Sequence, residues 1–117
     1  MNKLPTITES AVNTLRGIEL NCYHHQFYPY LEVKEVVWRG TVGQYIMFHM
    51  VLSDGDGDIH MEFHADTQKK FLSKIIRKKK TLVPGAKVHL SLYYVVADTK
   101  VPTGRKLVVK HARVFKP

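Results

Sequence analysis

The chain has 117 residues, the size of one domain with one core, and its 44 % hydrophobic and 24 % charged content is that of a globular protein. Charge divides along it: residues 1–66 hold four Lys/Arg against nine Asp/Glu and residues 67–117 fourteen against one, about −5 followed by +13, which predicts a basic face for polyanions. No segment reaches the roughly 18 apolar residues of a membrane span, no apolar run of signal-peptide length follows Met1, and the single Cys22 lacks an internal disulfide partner, so the expectation is a soluble protein of a reducing compartment.

The chain reads as one domain over 1–117, with no internal repeat. Thr6 and Glu9 have the spacing of a capping box, Ala11, Val12 and Leu15 form an apolar stripe, and Gly17 offers a stop, so a short N-terminal helix is predicted over 5–17. The aromatic, polar stretch 21–29 reads as a loop. From Tyr30 the period becomes two: Leu31, Val33, Val37 and Trp38 predict a first strand ending near Arg39-Gly40, followed by a turn at Thr41-Val42-Gly43. In a long second strand Ile46, Phe48, Met50 and Leu52 alternate with Tyr45, Met47, His49 and Val51. The stretch 53–57, within which the acidic glycine run 54–58 begins, turns the chain into a third strand, where Ile59, Met61 and Phe63 alternate with His60, Glu62 and His64.

Asp66 then suits an N-cap for a helix whose stripe is Phe71, Leu72, Ile75 and Ile76 and whose end is Arg77-Lys78-Lys79-Lys80. Pro84-Gly85 turns into a fourth strand over 87–96, the loop 97–104 follows, and 106–115 alternates as a fifth strand. Three meandering strands, a helix between strands 3 and 4 and a closing hairpin give an all-β fold class. The architecture is a five-stranded OB-fold barrel over 30–115 with capping helices.

Several strings carry a resemblance. Phe48-His49-Met50-Val51-Leu52-Ser53-Asp54-Gly55 resembles the second strand and acidic turn of the N-terminal OB domain of the replication protein A large subunit. Ile7-Thr8-Glu9-Ser10-Ala11-Val12 is similar to its leading helix and Tyr30-Leu31-Glu32-Val33 to its first strand. Pro84-Gly85-Ala86-Lys87-Val88 and Gly104-Arg105-Lys106-Leu107-Val108-Val109 resemble its fourth-strand entry and fifth strand. The resemblance implies a nuclear module, or a cytoplasmic one in a non-eukaryote, for DNA replication and repair. Its barrel groove would dock acidic amphipathic protein segments and bind single-stranded DNA weakly, within a larger complex or as a standalone relative. Arg105 and Lys106 fall on the family's basic pair. Met47 and His49 depart from it where basic residues are frequent, and Lys78-Lys79-Lys80 falls where some relatives are acidic.

Read without the resemblance, Lys100, Arg105 and Lys106 sit on or beside one of the two loops by which OB-folds grip ligands and Arg39 beside the other, which predicts an anionic ligand across them. Trp38, Tyr45, Tyr93 and Tyr23 are the candidate stacking rings for single-stranded nucleic acid, and Met47 and His49 line the same wall. Lys74, Arg77, Lys78, Lys79 and Lys80 form a secondary basic patch that also reads as a solvated helix face. An acidic helix would use the groove through apolar anchors and carboxylates, and the sequence does not separate the two uses. A third reading is a small assembly subunit that oligomerises through its barrel. No cofactor or metal is expected: Cys22-Tyr23-His24-His25 lacks a second zinc half-site, His60 and His64 stand roughly 13 Å apart on a strand, and Asp54, Asp56 and Asp58 meet Ile59 where a calcium loop needs Gly. With no catalytic constellation either, a non-enzymatic role is expected.

Overall fold

The computed structural model describes residues 6–24, 26–42, 45–64 and 83–117, with the side chains of 37–42 and 45–48 outside the described residues. In chain order the elements are α1 (Ala11–Arg16), β1 (Tyr30–Val42), β2 (Tyr45–Ser53), β3 (Asp58–Phe63), β4 (Lys87–Ala97) and β5 (Arg105–Phe115). The strands close in the order β1-β2-β3-β5-β4. All pairings are antiparallel except that of β3 with β5, and β1 bonds to both β2 and β4, the connectivity of an OB-fold. The expected helix at 66–80 lies outside the described residues.

Period-two alternation sends Leu31, Val33, Met50, Leu52, Ile59, Met61, Phe63, Val88, Leu90, Leu107 and Val109 inward, where they are almost fully buried. Ala11, Val12, Leu15 and Ile18 join the same cluster, so α1 and its exit pack against the barrel core. Bulges between Val33 and Glu35 and between Trp38 and Thr41 punctuate β1, which continues to Val42 instead of ending near Gly40.

Two expectations change at the N-terminus. The helix is shorter than 5–17, and the Thr6/Glu9 box does not cap it. Thr8 is instead drawn to β1: its N–H donates to the Tyr30 carbonyl and its Oγ1 accepts from the Tyr30 N–H, each at 2.9 Å. Ser10 occupies the N-cap at φ 54° with no side-chain cap bond. The cap comes from across the fold, where Asp54 Oδ2 accepts the Val12 N–H at 2.9 Å while Oδ1 accepts those of Asp56 and Gly57. Gly57 permits this approach, because a Cβ there would stand 3.3 Å from Val12 Cγ1.

β1 bonds to β4 only at its start, over Tyr30–Glu32. Farther along β4, the carbonyls of Val95 and Tyr93 accept the N–H groups of Asn21 and His24, so the stretch before β1 covers that part of the strand.

Candidate functional site

With Met50, Leu52, Ile59 and Met61 inside, His49, Val51, His60 and Glu62 stand on the outer face of β2 and β3. Register extends that face across the barrel: His60 is level with Lys106 and Val96, and Glu62 with Val108 and Tyr94. The loop between β4 and β5 borders it. Lys34, Glu35, Val51, Asp58, His60, Pro102 and Thr103 line a cleft of about 230 Å³ there. Lys34 and Asp58 pair at 2.6 Å on its exposed edge.

Electrostatics on this face differ from the expected basic groove. Lys106 Nζ lies 3.0 Å from Glu62 Oε1 and 2.9 Å from Asp98 Oδ2, with its side chain only 16 % exposed. Burial works against its ammonium, but the hydrogen bonds to Asp98 and Glu62 outweigh it and raise its pKa; the Asp98 carboxyl is lowered by the same Lys106 bond and by the Lys100 N–H. Lys106 is therefore a neutralised structural cation and not a free anion receptor. Arg105 is also engaged, its Nη1 donating to the Ile18 carbonyl at 2.9 Å and tying the exit of α1 to β5. Lys100 remains exposed on the loop, its N–H held by Asp98 Oδ1. With Glu35, Asp58, Glu62 and Asp98 present, carboxylates outnumber ammonium groups among the described residues of the face.

Tyr93 is no stacking platform. It is 0 % exposed, its hydroxyl donates to the Phe27 carbonyl at 2.6 Å, and burial, with Tyr28 adding, drives its phenol pKa far up. The reason is local: register shifts between Leu90 and Tyr93 reset the alternation, so Leu90 and Tyr93, three apart, both face the core. Tyr94 takes the outer position, and the exposed Tyr23 meets it edge-on with ring centres 5.3 Å apart. Burial raises the Tyr94 pKa, followed by the proximity of Tyr23 and Glu62.

His49 is likewise not an open groove wall. It is 4 % exposed, and its Nε2 lies 2.7 Å from His60 Nδ1, a contact that needs one neutral ring as acceptor. The side chains of Trp38, Arg39, Tyr45 and Met47, and the whole of Lys74, Arg77, Lys78, Lys79 and Lys80, lie outside the described residues. Among the described residues, no three His, Cys, Asp or Glu side chains converge as a metal site would require. Asp54, read as part of a hairpin turn, proves to be the helix cap; the signal for it was an acceptor in a tight acidic turn, but its target lies 42 residues away.

No protein-family model matches the chain, and no curated protein matches it significantly.

Proposed function

We propose that this protein is a non-catalytic OB-fold interaction module of DNA replication and repair, similar in role to the N-terminal domain of the replication protein A large subunit. It docks an acidic amphipathic segment of a partner beside the β4–β5 loop. The observation that carries this reading is the cleft under that loop, with Val51 and Pro102 as apolar lining and the exposed Lys100 two positions before Pro102 on the same loop. An apolar anchor of the incoming helix fits the cleft, and its carboxylates meet Lys100, which, unlike Lys34 and Lys106, forms no ion pair among the described residues. Because Lys106 is already paired, Lys100 carries more of the charge recognition than the basic pair at the start of β5.

A second reading, single-stranded nucleic acid in the same groove, is favoured by the Tyr23–Tyr94 pair, which places an exposed ring at the far side of the face. Fluorescence-anisotropy titrations with a labelled acidic amphipathic helical peptide and with labelled oligo(dT), each at two salt concentrations, separate the two. Peptide binding that Lys100→Glu weakens about tenfold supports docking. Peptide affinity untouched by Lys100→Glu, or absent, removes it; tight oligo(dT) binding lost in Tyr23→Ala favours the second reading.

A further inference from the structure

A different part of the barrel surface carries an arrangement that the groove does not use. Where β1, β4 and β5 run side by side, register places Tyr30, His89 and Arg113 in one row and Glu32, Lys87 and Phe115 in the next. Leu31, Val88, Leu90 and Val114 pack to the core, so these residues stand on the outside. The Tyr30 and His89 rings are stacked, 4.1 Å apart and 6° from parallel. Phe115 lies 6.2 Å from Tyr30, and the Arg113 guanidinium sits 5.4 Å from the Phe115 ring centre. All three rings keep part of their surface in solvent, and Arg113 is exposed.

Charge on this face is the reverse of the groove's. Glu32 is the only carboxylate in the stretches 30–32, 87–91 and 111–115, and among the described residues neither Lys87 nor Arg113 forms an ion pair. Lys116 extends the cationic side with an exposed chain. Arg113 lies seven positions along β5 from Lys106, on the order of 20 Å at the rise of a strand. The two surfaces are distinct.

We propose that this outer face of β1, β4 and β5 is a second binding surface and that its occupant is single-stranded nucleic acid. Partly exposed rings beside cations that form no ion pair among the described residues supply what such a strand needs: π-faces for bases and positive charge for phosphates. The assignment does not rest on peptide docking in the groove, and it lets one domain hold a nucleic-acid strand and a protein segment together.

The test is anisotropy with labelled oligo(dT) on the full chain, comparing wild type with Lys87→Glu/Arg113→Glu, Phe115→Leu and Lys100→Glu. The double charge reversal is expected to weaken binding at least tenfold and to flatten the salt dependence by about 0.7 per lost phosphate contact. Phe115→Leu keeps the charge and an apolar side chain, and is expected to lose about fivefold or more. Lys100→Glu leaves oligo(dT) affinity unchanged, and excess acidic peptide does not displace the oligonucleotide. Amide shifts of wild-type His89 and Arg113 on adding oligo(dT) give a reading independent of whether a variant folds. Oligo(dT) affinity indifferent to both β-face variants, displacement by the peptide, shifts confined to the groove, or no oligo(dT) binding overturns the assignment. Loss of peptide binding alone removes the groove reading and leaves this one standing.

Discussion

Tyr93 concentrates the cost of a polar atom in a core. Its ring fills the barrel interior while its hydroxyl satisfies the Phe27 carbonyl. Tyr93→Phe keeps the volume but orphans that carbonyl, so thermal or urea unfolding should show a loss of about 1–2 kcal/mol. The Glu62–Lys106–Asp98 cluster sets a different dependence. The folded Asp98 pKa is lowered, so its contribution is present above the unfolded carboxylate value of about 4 and is lost as pH falls through the folded value. The Lys106 pKa is raised, so its contribution is full below the unfolded lysine value, about 10.4, and fades as pH rises through the folded one. Urea midpoints between pH 2.5 and 7 should fall toward acid in the wild type and fall less steeply in Asp98→Asn. Neither Tyr93 nor Lys106 could be placed from local pattern: a bulge decides the first, and a carboxylate 44 residues away, brought over by parallel pairing, decides the second.

At the scale of elements, period-two alternation made β2, β3 and β5 legible nearly to their ends, because a half-buried strand must alternate. The short helix was legible in its apolar stripe and not in its cap. A Ser/Thr-x-x-Glu string caps a helix only when its own backbone is free, and here Thr8 is committed to Tyr30. Asp54→Ala should accordingly cost about 1–2 kcal/mol, because it removes acceptors for Val12, Asp56 and Gly57. Hydrogen exchange should localise the damage to α1 and the β2–β3 turn. In Glu9→Ala those amides should stay as protected as in wild type. For the candidate site, the loop between β4 and β5 was legible as a border, whereas the partners of its cations were not, since pairing across a barrel leaves no mark in spacing.

For the molecule as a whole, the stretch before β1 completes the wall. Asn21 and His24 bond to β4, Ile18 is tied to Arg105, and α1 shields core side chains. A version beginning at Tyr30 would leave the Tyr93 and Val95 carbonyls without those partners and uncover Leu15's share of the core. Size-exclusion chromatography should show it self-associating while the full chain elutes as a single smaller species. The pairing of β5 with both β3 and β4 has a further consequence, for the order in which the protein can become itself. Every strand of the first half stays part of an open ribbon until the final one is supplied, and the acidic Glu62 waits for a lysine synthesised 44 positions later. Maturation is thus governed by the last strand to be made: a ribosome that stops before Arg105 leaves not a weaker barrel but an unclosed sheet with two sticky margins, a substrate for chaperones and proteases.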